Sequence, residues 1–257
     1  MLAALRRHPI PIQAWFRHSL VLTYAYPEAL LRPLLPRGLT LDTHEGCGFL
    51  AIALVQTERL RPAGLPGLVG RDFFLSGYRV FCRYRAADGR LLRGLRILRS
   101  DADSRLMVWA GNLLTHYRYR KCVATCRRSE TTLDVTITTP GGEADLAVRA
   151  FVDQAAQAPP PGSPFSDLAV ARRFAGPLPF TFDGEAGSER LVIIEGVREH
   201  WKPMPVRVEV SRCTFLERPP FDAAPPRLAN AFLVEGVDYR WKRGVVAPVA
   251  AVATEAA

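Results

Sequence analysis

Lysine is almost missing from this 257-residue chain. Lys121, Lys202 and Lys242 are its only lysines, and every other basic residue is arginine. A net charge of +9 would suit nucleic acid or an anionic membrane surface. The basic residues are scattered, however, with no Lys/Arg block, and the chain is also rich in Ala, Pro, Gly and Leu. That joint bias is what a GC-rich coding sequence produces, so a basic nucleic-acid-binding protein ranks third among the readings below. The cysteines number five, an odd count with no CxxC pair. Zinc-type spacing is thereby excluded, and the thiols are expected to act as small hydrophobes. No HxH or HExxH supports a metal, no glycine-rich phosphate loop supports a nucleotide, and no GxSxG supports a serine hydrolase, so neither metal nor cofactor is expected. No run of eighteen apolar residues occurs, and no apolar stretch follows Arg6-Arg7. The expectation is a cytoplasmic protein without signal peptide or membrane span.

What the chain does have is apolar side chain, 48 % of its residues, enough to bury a sizeable core. Most of it lies in strand-like runs. Residues 1–16 read as an irregular lead-in broken by Pro9 and Pro11, and residues 246–257 as a frayed tail, leaving one domain over 17–245. Strands are predicted at His18–Tyr26 and Gly48–Arg61, with a short proline-led helix, Pro27–Leu35, between them. Asp88-Gly89 joins Phe73–Arg85 to Leu91–Arg99 as a hairpin, and Pro140-Gly-Gly142 joins Thr131–Thr139 to Glu143–Val152. Between the hairpins, Ser100 and Asp103 suggest a capping box, opening a helix to about His116 whose Leu106, Trp109, Ala110 and Leu113 share one face. Tyr117–Arg128 reads as one strand after it. A proline-rich connector, 156–164, and a short helix over Ser166–Arg173 precede strands at Arg190–His200, Val206–Leu216 and Ala231–Trp241. Hairpins dominate, which predicts a mainly β (α+β) fold, an antiparallel barrel or curled sheet with a few packed helices.

Several segments together resemble a known family. Arg17-His-Ser-Leu-Val-Leu-Thr-Tyr, followed by Pro-Glu-Ala-Leu-Leu-Arg-Pro-Leu-Leu-Pro-Arg-Gly-Leu, is similar to the opening of the acetoacetate decarboxylase-like superfamily. Tyr78-Arg79-Val-Phe-Cys-Arg-Tyr, the helix ending in His116-Tyr117, and Glu199-His-Trp-Lys-Pro-Met-Pro resemble its YqjF-like branch. The resemblance implies a cone-shaped antiparallel barrel around an internal pocket. In acetoacetate decarboxylase itself a pocket lysine after the central helix forms a Schiff base with a keto acid. The matching segment here is Tyr117-Arg-Tyr-Arg-Lys121. The family lysine falls on or near Tyr119, Lys121 lies two residues later, and the acidic residue expected four positions before Arg79 is Leu75. The resemblance also places Arg17 and Arg79 near the pocket, where a guanidinium could hold a substrate carboxylate through two parallel bonds. The alternative is a structural ion pair with Glu195 or Glu235.

Strand alternation groups Tyr117, Tyr119 and Lys121 on one face. If that face is interior, burial disfavours the ammonium and favours the neutral amine that Schiff-base chemistry needs. Otherwise Lys121 ends a strand with its head in water. Glu195 alternates with Leu191, Ile193 and Val197, and Glu235 with Leu233, Val237 and Tyr239. A carboxylate on an interior apolar face would be a candidate general acid or base. Trp201 serves as a pocket wall or anchors a strand turn. The first reading is therefore a barrel that binds a small carboxylated or oxo compound through Arg79 and Arg17, walled by Tyr117, Tyr119 and Trp201. The second is a lyase, decarboxylase- or aldolase-like, acting on keto acids through Lys121 with Glu195 and Glu235. A homo-oligomer is left open.

Overall fold

The computed structural model describes residues 5–249 apart from Pro177 and Ala186. The chain starts as a long strand, β1 (Ile12–Pro27), and passes through a one-turn helix α1 (Glu28–Leu31) and a short β2 (Leu39–Leu41) into β3 (Cys47–Pro62). The hairpin β4 (Arg71–Arg85) and β5 (Leu91–Ala102) follows, then helix α2 (Arg105–Leu114) and β6 (Tyr119–Lys121). Strands β7 (Val123–Arg128), β8 (Thr132–Thr138) and β9 (Leu146–Phe151) form a meander. Helix α3 (Leu168–Ala175) leads to β10 (Phe180–Gly184), β11 (Arg190–Arg198), β12 (Met204–Pro205), β13 (Arg207–Cys213), β14 (Arg227–Trp241) and β15 (Val245–Pro248).

Two sheets result. In the larger one the pairing runs β14-β1-β3-β4-β5-β10-β11, and β11 pairs back onto β14 at Gly196–Arg198, closing the ring. The smaller sheet is β13-β9-β8-β7. Long strands with apolar residues on both faces serve two cores. Leu20, Leu22, Leu50, Ile52, Leu54 and Val80 point to the small sheet and meet Leu133, Val135, Ile137, Leu146 and Val148 there. Their neighbours in the alternation, among them Ala53, Val55, Leu75, Val192 and Val234, point into the ring. Both layers bury apolar surface, so each strand is held on two sides.

The fold is mainly β as expected, with four differences. The pairing is mixed rather than wholly antiparallel, because β10 and β6 each run parallel to β5. The ordered strands extend further than expected, since β1 begins at Ile12 and β15 pairs with β11 over residues 245–248. The rest of the expected tail, from Ala250, lies outside the described residues. Ser100 caps no helix. β5 continues through Ala102 against Leu75, and Ser104 accepts the Met107 N–H instead. Helix α2 then sits on the sheet through Met107, Val108 and Gly111, leaving Leu106 54 % and Trp109 66 % exposed. Finally, Tyr117–Arg128 is not one strand. It breaks at Cys122, with β6 joining the large sheet and β7 the small one.

Candidate functional site

Inside the ring lies a cavity of about 100 Å³. Its floor is aliphatic, from Val21, Ala51, Ala53, Val55, Leu75 and Ile97, and its walls are aromatic, from Phe16, Tyr117, Tyr119, Trp201, Phe232, Tyr239 and Trp241. A ~150 Å³ apolar cavity accepts benzene, so this space suits a compact molecule of similar or smaller size.

Two arginines enter it, Arg79 from β4 and Arg198 from the end of β11. Among the described residues neither has a carboxylate within ion-pair distance, and no Asp or Glu lines the cavity. Burial lowers the pKa of Arg79, partly offset by the hydroxyls of Tyr239, Tyr117 and Tyr119. Burial lowers that of Arg198 as well, with Tyr239 opposing and the nearby charge of Arg79 adding to the effect. The Arg198 guanidinium lies over Trp201 at 4.7 Å and Tyr239 at 5.5 Å, a cation–π arrangement that offsets part of its lost hydration. Three donors end without an acceptor: Arg79 Nε, an Nη of Arg198 and Trp201 Nε1. Buried donors ordinarily find partners, so the cavity presents several hydrogen-bond donors and two positive charges to a group it does not itself supply.

The local sequence explains how these groups are held. Gly77 precedes Arg79 on the same strand face, and a Cβ there would stand 2.9 Å from Arg79 Nε. The missing side chain is the space the guanidinium occupies. Asn112 on α2 clamps the backbone of Tyr119, accepting its N–H at 2.8 Å and donating to its carbonyl at 2.8 Å. Gly111 lets the helix approach, because a Cβ there would lie 2.3 Å from the Tyr119 ring. Tyr117 Oη shares a 2.7 Å hydrogen bond with Thr181 Oγ1 on β10. Burial pushes both tyrosine hydroxyls well above their usual range, opposed for Tyr117 first by the Thr181 bond and for Tyr119 by Arg79.

Of the residues singled out from the sequence, Arg79, Tyr117, Tyr119 and Trp201 line the cavity together. The other four do not. Lys121 donates to the backbone carbonyls of Asp103 at 2.7 Å and Cys122 at 2.6 Å, outside the lining. Arg17 is exposed and paired with Glu58. Glu235 is exposed beside Arg128. Both depart from simple alternation for one reason. Between Phe16 and His18 the register of β1 against β3 slips, and opposite this point Gly236 adopts a left-handed backbone, φ +66°. Phe16 and Ser19 on β1, and Val234 and Val237 on β14, therefore all face inward, turning Arg17 and Glu235 out. Glu195 keeps its alternation with Leu191 and Ile193, but that face packs on Leu39, Cys82 and Tyr84. Glu195 ends it in contact with Lys242 at 3.0 Å. The inward face of β11 is Val192, Ile194 and Arg198. Arg198 went unnoticed because both faces of β11 are apolar, and period-two alternation cannot choose between two buried faces.

Among the described residues no helix is long and apolar enough to cross a membrane, and all five cysteines are free thiols. Solved structures share the fold. An acetoacetate decarboxylase from Legionella pneumophila superposes with a TM-score of 0.61 at 13 % identity, covering 93 % of this chain and 87 % of that one. The enduracididine biosynthesis enzyme MppR with HEPES bound gives 0.60 at 12 % identity, covering 95 % and 90 %. The same enzyme complexed with pyruvate gives 0.58 at 14 %, covering 93 % and 88 %. At these identities the likeness is one of fold. A comparison with curated proteins finds no match. Residues 13–238 match the DUF2071 family of uncharacterised conserved proteins, a span that holds most of the cavity lining, and the chain belongs to that family.

Proposed function

We propose that the cavity binds a small carboxylate carrying an oxo group, with Arg79 and Arg198 as its counter-ions. The observation that carries this reading is the pair of half-buried guanidinium groups, each with a buried N–H that has no acceptor, at a cavity with no acidic residue in its lining among the described residues. A buried charge without a partner is costly, and an entering carboxylate removes that cost while accepting two parallel hydrogen bonds. The volume, about 100 Å³, suits a keto acid of pyruvate's size, and one neighbour of the same fold is complexed with pyruvate. The hydroxyls of Tyr117, Thr181 and Ser100 line the same space and provide donors for an oxo oxygen. A lyase step through a Lys121 Schiff base would need the amine inside, whereas its Nζ is engaged by two backbone carbonyls. The reading is therefore of reversible binding without a covalent step.

Calorimetric titration with pyruvate tests it. Binding is expected in the native protein and should weaken by roughly tenfold or more in Arg79→Met. Borohydride added with pyruvate should leave the protein mass unchanged. Equal pyruvate affinity in Arg79→Met would overturn the assignment of the carboxylate site, and a reduced adduct on Lys121 would restore the Schiff-base alternative.

A further inference from the structure

The cavity does not end at its aromatic wall. Beside it is a second space of about 240 Å³, and Ala175, Gly176 and Phe232 line both. Leu168, Ala169 and Ala175 of α3 form one side; Pro203, Pro205 and Phe232 form the other. Its polar contributors are Arg172, exposed at the rim, and the buried Asn230. The two spaces differ in chemistry. The inner one holds both unpaired guanidinium groups, whereas the second has no charged group besides Arg172. A chain of rings connects them: the Arg198 guanidinium lies 4.7 Å from Trp201, whose ring is 6.0 Å from Phe232. A charged head pocket thus shares Ala175, Gly176 and Phe232 with a larger, mostly apolar space beside α3.

From this arrangement we infer that the ligand is an acid with an apolar tail longer than the methyl of pyruvate, the carboxylate at Arg79 and Arg198 and the tail under α3 between Ala169 and Phe232. The inference rests on the carboxylate reading above and adds the substrate class. Pyruvate alone would leave the chamber filled with water against alkyl and ring surfaces, which is unfavourable. A hydrocarbon tail displaces that water. Each methylene it buries should tighten binding by about three- to fourfold. Helix α3 is capped by Asp167, which accepts the Val170 N–H at 2.8 Å, and Ala169 is exposed on it. A larger side chain at Ala169 can fill the chamber without entering the inner cavity.

Calorimetric titrations with pyruvate, 2-oxobutanoate, 2-oxohexanoate and 2-oxooctanoate, on the native protein and on Ala169→Trp, test this. Affinity should rise along the series in the native protein, by at least tenfold from pyruvate to 2-oxohexanoate. In Ala169→Trp the rise should vanish while pyruvate binds as before, which also reports an intact fold. Pyruvate binding with a flat series would overturn the tail assignment and leave the carboxylate site standing. A rise that survives in Ala169→Trp would place the tail elsewhere and equally overturn it. Failure of every acid to bind the native protein would remove the carboxylate reading and this inference together.

Discussion

Replacing Arg79 by methionine should move stability and binding in opposite directions. Methionine roughly matches the arginine stem in volume, and its flexible thioether fills irregular space. The guanidinium it removes is half-buried, pairs with no carboxylate among the described residues and leaves a buried Nε without an acceptor. Its charge also opposes that of Arg198 across the cavity. Exchanging buried ionic groups for apolar side chains of similar volume is commonly neutral or stabilising by about 1–4 kcal/mol. With a single charge and part of its surface facing the cavity, the gain should lie at the low end, about 1–2 kcal/mol. Pyruvate affinity should fall at the same time. A hydrogen bond to a charged group contributes about 1.5–3 kcal/mol, so losing one arm of the fork weakens binding roughly tenfold to a hundredfold and losing both weakens it further. Urea melts followed by circular dichroism give the first quantity and titration calorimetry the second. A destabilisation above about 1 kcal/mol would show that Arg79 supports the fold, and the argument from an uncompensated charge would fail. Arg79→Lys, which keeps the charge but loses the planar fork, should recover part of the binding.

Trp109→Ala should cost under about 1 kcal/mol in urea melts, because a ring 66 % exposed leaves little cavity behind; a buried tryptophan would cost about 3–5 kcal/mol. Gly111→Ala sets two effects against each other. Alanine favours the helix by about 1 kcal/mol, but its Cβ would stand 2.3 Å from the Tyr119 ring, and overpacking costs typically 1–3 kcal/mol. Net destabilisation with weakened pyruvate binding is expected, and a more stable protein would contradict the close approach of α2 to β6. Stability should also fall in mild acid. Burial lowers the pKa values of His8, His18 and His116 below the ordinary 6.5, so below that value the unfolded chain binds protons that the fold refuses. Unfolding free energy should therefore decrease as pH drops from about 7 to 5. A flat profile over this range would show that the three imidazoles titrate normally in the fold.

Legibility in the sequence followed burial on one side. Asp-Gly and Pro-Gly-Gly turns located both hairpins, since the residues that permit a tight turn act locally. Arg79 was singled out by the family resemblance, and β4 does set it in line with Leu75 and Phe81 on the inward face. Tyr117 and Tyr119 were legible by strand alternation, as large side chains two apart, just ahead of the break at Cys122. Lys121 shows where this logic stops. Alternation carries it to the tyrosine face, but the chain leaves the large sheet at the next residue, and its ammonium turns to the carbonyls of Asp103 and Cys122.

Composition, turn residues and periodicity by themselves settled the mainly β fold class, both hairpins and the common face of Tyr117 and Tyr119, while strand β10 went unread. Which face of each strand looks into the ring was decided only in three dimensions. Strands such as β1, β3 and β11 are apolar on both sides because two cores grip them, so their alternation carries no sign. A register slip before His18 and the left-handed Gly236 opposite it then reversed the parity that would have pointed Glu235 inward, and left Arg17, placed near the pocket by the resemblance, facing out. Closure of β11 onto β14 brought Arg198 beside Tyr239 and into the cavity. Such long-range pairings depend on the packing of the whole ring, and no local stretch of residues encodes them.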